Sequence, residues 1–154
     1  MITLSHFEKG KIIMINKRVK LIEMIAPQTL SAGTTYNGVA DASGIGIDVQ
    51  DYDECMIVVS VGTVPSNGTI DVTIRESDSN TAVASESSAV TDAIFVQVDA
   101  DSDQNNYVGQ IDLRYRKRYI FVKAVVANQS IPVSVNAYAI GNSFPVDNAD
   151  TFEV

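Results

Sequence analysis

Apolar and polar residues alternate at every second position over much of this chain. In GTIDVTIRE, Ile70, Val72 and Ile74 fall on one face and Asp71, Thr73 and Arg75 on the other. GIGIDV repeats the pattern with Ile45, Ile47 and Val49, and IPVSVNAYAI with Val133, Val135, Ala137 and Ala139. A period of two is the signature of a strand with one face buried. CMIVVSV and YIFVKAVV are more continuously apolar and read as strands covered on both faces, or nearly so. KLIEMI, AIFVQV and YVGQIDL bring the total to about eight strands. Clusters rich in Gly, Asn, Asp, Ser and Pro (SAGTTYNG, ADASG, VPSNGT, DSDQNN) separate them as turns. In NTAVASESSAV, residues 80–90, the hydroxyl side chains favour a surface loop over the short helix its alanines would allow. The pattern predicts an all-β chain: one antiparallel β-sandwich of two packed sheets, jelly-roll-like, with Val58, Ile70, Val72, Ile74, Ile120, Val122 and Val133 in its core.

The two ends differ from this body. Residues 1–20 are basic and poor in turn signals, and read as an extended N-terminal arm; residues 21–142 form the sandwich, and residues 143–154 a polar C-terminal tail. Met14 opens an alternative start that would remove most of the arm. KIIMI is too short for a secretory signal and no small-residue cleavage site follows it, so export through a signal peptide is not expected. No apolar run approaches the ~18 residues of a membrane helix. Cys55, the single cysteine, lies in an apolar strand and reads as a buried, inert thiol.

Charge changes the picture more than composition does. The formal net charge is −8, yet ten of the 11 Lys and Arg residues lie in two segments. One is the arm, with Lys9, Lys11, Lys17, Arg18 and Lys20; the other is IDLRYRKRYIFVKAVV, residues 111–126, with Arg114, Arg116, Lys117, Arg118 and Lys123. Between them, residues 21–113 set Arg75 alone against 15 carboxylates. Such a body repels nucleic-acid phosphates. Cations interleaved with Tyr115, Tyr119 and Phe121 suggest nucleic acid at first sight, but recognition on a sheet face needs several strands of that kind, and the others carry almost none. On a strand, Arg114, Arg116 and Arg118 would point one way and Tyr115, Lys117 and Tyr119 the other. Most of these cations are better read as partners of the acidic body, guarding a strand end against stray pairing.

Candidate chemistry is sparse. His6, the single histidine, lies in the arm, away from any preorganised pocket for a nucleophile–base pair. One His and one Cys do not supply a zinc site. Asp48, Asp51, Asp53 and Glu54 offer the paired carboxylates of a glycosidase, but they cluster at a turn, and a chain without tryptophan is ill suited to stack a sugar. DSDQNNYVGQID matches part of the calcium-loop spacing, with Asp101, Asp103 and Asn105 at positions 1, 3 and 5 and Asp112 at position 12. Asn106 stands where that loop has glycine, and the flanks read as strands. A plain Asx-rich turn is the competing reading. No cofactor and no enzymatic activity are expected.

The order of segments IAPQTLSAGTTYNGVADASG, YDECMIVVSVGTV, GTIDVTIRESDSN and GQIDLRYRKRYIFVKAVV, across about residues 24–142, resembles small tailed-bacteriophage virion proteins of the capsid-decoration or head-fibre-base kind. The resemblance implies a virion structural protein on the head surface, assembled in the bacterial cytoplasm. Its implied partners are the major capsid protein and neighbouring copies of itself, as a homo-oligomer on the particle, with neither nucleic acid nor membrane bound. A glycan- or receptor-binding module of a fibre, or a neck or tail-completion protein, are the alternatives. The basic stretch 1–20 departs from the family pattern. From the segregation of charge, the arm is expected to be the anchor, with the Arg114–Arg118 segment as a second contact.

Overall fold

Alternation in the sequence becomes alternation in burial. In a computed structural model, which describes residues 19–38, 46–80, 87–102 and 105–141, the strand Thr69–Ser77 buries Ile70, Val72 and Ile74 almost completely while Asp71, Thr73 and Arg75 stay half exposed. The strand Ile131–Ile140 does the same with Val133, Val135, Ala137 and Ala139. Ten strands are present among the described residues, and no helix. They are β1 (Val19–Leu30), β2 (Thr34–Gly38), β3 (Ile47–Asp48), β4 (Glu54–Val61), β5 (Thr69–Ser77), β6 (Ser88–Ile94), β7 (Val98–Asp99), β8 (Asn106–Asp112), β9 (Tyr119–Ala127) and β10 (Ile131–Ile140).

Every pairing is antiparallel. One sheet runs β1-β10-β4-β8 and the other β2-β9-β5-β6. The two short strands complete the second sheet. β3 continues the line of β2 along β9, and β7 lies along β5 beyond β6. If each in-line pair is taken as one position, the chain has eight positions, ordered 1-8-3-6 in one sheet and 2-7-4-5 in the other. That is a jelly roll, in which nearly every connection crosses from sheet to sheet. The inward faces of both sheets meet in one apolar core around Met24, Leu30, Ile57, Ile70, Ile120 and Ile131.

Several sequence expectations need correction. Val58 is not a core residue: β4 buries Cys55, Ile57, Val59 and Val61, leaving Val58 half exposed on the outer face. Its continuous apolar run is an ordinary one-sided strand whose outer face is itself apolar. TTYNG, read as part of a turn, is β2: the turn is confined to Ala32 and Gly33, the glycine at φ 71°, and pairing with β9 holds Thr34–Gly38 extended. Ser88, Ala89 and Val90, assigned to a loop, begin β6, and Val90 is fully buried. AIFVQV is not one strand. β6 ends at Ile94 and β7 begins at Val98, because the register against β5 slips between them. β1 starts at Val19, so Lys20 lies in the sheet opposite Ala139, not in a free arm. β9 is buried on both faces at Ile120, Phe121 and Val122, as its run of apolar residues suggests.

Candidate functional site

The cation-rich stretch Arg114–Arg118 is a turn between two strands, not part of a strand. β8 ends at Asp112, and the Leu113 N–H donates to the Asp53 carbonyl at 2.8 Å. One Asp112 carboxylate oxygen then accepts the Arg114 N–H at 3.1 Å, and the Arg116 N–H closes a turn on the Leu113 carbonyl. An aspartate that captures the amide two residues on bends the chain in this way. The turn carries the chain from the first sheet to the second, where β9 begins at Tyr119.

The bend sets where each cation goes. Arg114 grips Asp112 through Nε–Oδ1 at 2.9 Å and a second bond to Oδ2 at 2.6 Å. The side-chain and backbone hydrogen bonds from Arg114 hold the Asp112 carboxyl down at about 2, and the Arg114 guanidinium is raised in turn by the same carboxylate. Arg118 places two N–H groups on Asp48 Oδ2, at 2.7 and 3.0 Å, and its guanidinium carbon lies 5.2 Å from the Tyr119 ring centroid. Partial burial would raise Asp48, but the bonds from Arg118 and the Gln50 N–H, with the nearby Lys20 charge, outweigh it and leave it lowered. Lys117 sits 3.8 Å from Asp78, and its backbone N–H donates to Glu76. Arg116 is half exposed, with a buried Nε that has no hydrogen-bond partner. Three of the turn's four cations thus already face carboxylates of this chain. Lys9, Lys11, Lys17 and Arg18 lie outside the described residues, as does His6.

The calcium spacing does not close into a loop. Asn106–Asp112 is an extended strand, which puts about 20 Å of chain between its ends at ~3.3 Å per residue. Asp112 is held by Arg114 at the far end, while Asp101 and Asn105 are exposed at the near end and Asp103 lies outside the described residues. Among the described residues no three His, Cys, Asp or Glu side chains gather as a metal set. The Cys55 thiol is fully buried, and that burial pushes its pKa up to about 12.

Sequence reading missed a second surface. β6 and β8 are edge strands of the two sheets at the same side of the sandwich, and an open groove of about 420 Å³ lies between them. Ile57 and Ile74 form its floor and Phe95 and Tyr107 its walls, while Ile94 (66 % exposed), Val96 (78 %) and Val108 (63 %) stand at its rim. The Phe95 ring lies so close over Gly109 that a Cβ there would be 3.0 Å from it. Val108 lies across from Val58 on the outer face of its sheet, where Met56 and, on the far edge, Leu21 are also exposed. The signal was present in AIFVQV, whose alternation leaves Ile94 and Val96 outward once Phe95 points in. The groove offers apolar contact and strand-edge backbone, and its lining contains no Asp, Glu, Lys, Arg or His.

No family model matches the chain, and none of the curated proteins does. Solved structures do match. The PBSX exported protein XepA aligns with a TM-score of 0.55 at 16% identity, over 88% of this chain and 42% of its own. A chain of infectious bursal disease virus, Gx strain, aligns with a TM-score of 0.50 at 15% identity, over 83% of this chain and 33% of its own. The coat protein of Tobacco streak virus aligns at 9% identity and a TM-score of 0.48, over 90% of this chain and 95% of its own. This chain thus spans less than half the length of the first two, and what it shares with them is the two-sheet fold.

Proposed function

We propose that this chain is a virion structural protein, most specifically a decoration or cement protein bound to the outside of a tailed-phage head shell. The observation that carries the reading is the jelly-roll strand order, a fold the chain has in common with a virus particle chain. The resemblance of its segment order to capsid-associated phage proteins supports the same reading, and the role needs no catalytic chemistry. The segregated charge supplies the mode of attachment. Lys9, Lys11, Lys17 and Arg18 precede β1, with Lys20 at its start, while the body they lead into is acidic. An anionic shell of major capsid protein attracts that end and leaves the acidic body facing solvent, which fixes orientation as well as affinity. Arg114 and Arg118 are already committed to Asp112 and Asp48, so the turn is the lesser contact. Single exposed ion pairs are weak, and strength comes from many copies on one lattice.

Quantitative mass spectrometry of purified particles tests the role. Copy numbers comparable with the major capsid protein are expected. A few copies per particle would move the protein to the neck or tail, and its absence from particles would overturn a virion role. Attachment is tested by deleting residues 1–18: the truncated protein should leave the particles, intact protein should dissociate with added salt, and the melting temperature should not change. Normal occupancy by the truncated protein would remove the arm as anchor.

A further inference from the structure

Sheet edges expose unpaired N–H and C=O groups, and folded proteins blunt them with bulges, prolines, lysines or interruptions. Three of the four edges among the described residues are blunted in this way. β1 carries Lys20, Pro27 and two register shifts; the β2–β3 edge is broken between its two pieces; β6 is shifted against β5. β8 has none of these devices. It runs in unbroken register against β4 from Asn106 to Asp112, contains neither Lys nor Pro, and exposes Val108 at its middle.

The direction of its free backbone groups is fixed by two hydrogen bonds. The Leu113 N–H donates to the Asp53 carbonyl, and the Val61 N–H to the Asn105 carbonyl. Odd-numbered residues of β8 therefore turn their backbone groups to β4, and Asn106, Val108 and Gln110 turn theirs outward.

We propose that β8 is an assembly edge whose occupant is β8 of a second copy of this chain, paired antiparallel about a two-fold axis at Val108. Charge selects a second copy in this orientation. Asp99 at the end of β7 and Asp101 in the turn after it precede the strand, and the basic turn of Arg114–Arg118 comes after it. Antiparallel pairing brings each copy's acidic end to the other's basic end. Between those ends, Asn106–Gln110 carries no charge to repel its counterpart. Centring on Val108 also satisfies the phase: it faces Val108 of the other copy, Asn106 faces Gln110, and all these residues have outward backbone groups. The axis stands perpendicular to the sheet, so the two four-stranded sheets become one continuous sheet and both grooves lie on the same side, with Ile94 and Val96 flanking the junction. This inference stands on the sheet geometry and does not depend on the virion reading.

Disulfide trapping in the full chain tests it. Two hydrogen-bonded antiparallel partners have Cα atoms about 5.5 Å apart, within the ~4.4–6.8 Å a disulfide spans. Under mild oxidation Val108→Cys should yield a linked species of about twice 16.6 kDa, whereas Gln110→Cys, which faces Asn106, should not; the native Cys55 is buried. The parent should show a concentration-dependent doubling of mass in sedimentation, and Val108→Lys, which sets two like charges face to face, should abolish it. A parent that keeps the single-chain mass at every soluble concentration overturns the proposal. So does a Val108→Cys chain that stays unlinked, Gln110→Cys linking equally well, or Val108→Lys associating like the parent.

Discussion

The Arg118 guanidinium donates two hydrogen bonds, at 2.7 and 3.0 Å, to a single oxygen of Asp48, a residue 70 positions earlier in the chain. The contact fastens the turn before β9 to β3, which already pairs with β9 through Asp48 and Tyr119. The Val49 N–H adds a backbone bond to the Arg118 carbonyl at 2.9 Å. The sequence pairs this cation with the acidic body in general; the fold makes it a clasp on one carboxylate far along the chain.

The clasps make stability depend on acid. Asp48 and Asp112 both titrate lower in the folded chain than their ordinary value of 3.8, Asp112 at about 2. A carboxyl depressed by folding contributes stability above its unfolded pKa and loses it as pH falls through the folded one. Melting temperature should therefore fall between about pH 4 and pH 2. Arg114→Ala should flatten the part of that slope due to Asp112. Both groups are largely exposed, so the effect should be small and should shrink in high salt.

The face assignment of β4 is testable with adjacent residues. Val59 is 1 % exposed and Val58 half exposed. Val59→Asp should prevent folding, as should Val72→Asp, since an unpaired buried charge costs several kcal/mol. Val58→Asp should leave a cooperative melt close to the parent's. Circular dichroism on the three variants decides it; equal loss at 58 and 59 would place the strand wrongly.

Gly46 lies under the Phe121 ring, so close that an added Cβ would collide with its Cζ. Phe121 is itself buried. Gly46→Ala should destabilise the domain by about 1–3 kcal/mol through overpacking. Adding Phe121→Leu should recover part of that loss, so that the pair costs less than the two single changes together in denaturant titrations.

Cys55 should be silent in the native state. With its pKa pushed up to about 12 by burial and no measurable exposure, the thiol should react with a disulfide reagent only as fast as the chain opens. Stopped reactions in increasing denaturant should show labelling track unfolding. Rapid labelling of native protein would mean that β4 and β10 separate locally around it.

The sequence by itself determined the strand content, the antiparallel sandwich and most of its core. Which face of a strand is buried is written in a period of two, and Ile70, Val72, Ile74 and Val133 obey it. Where local pattern conflicts with pairing, the reading stops. TTYNG is β2 because β9 lies beside it, and Val58 is half exposed because its side chain falls on the outer face of its sheet. Only the tertiary structure decided which carboxylates hold Arg114 and Arg118, and that Asp112 closes an extended strand that Asp101 precedes. It alone showed that, among the described residues, β8 is an edge strand in unbroken register with neither lysine nor proline. Alternation is set within a few residues, whereas edges, clasps and register arise between segments far apart in the chain, and their energies exist only once those segments meet.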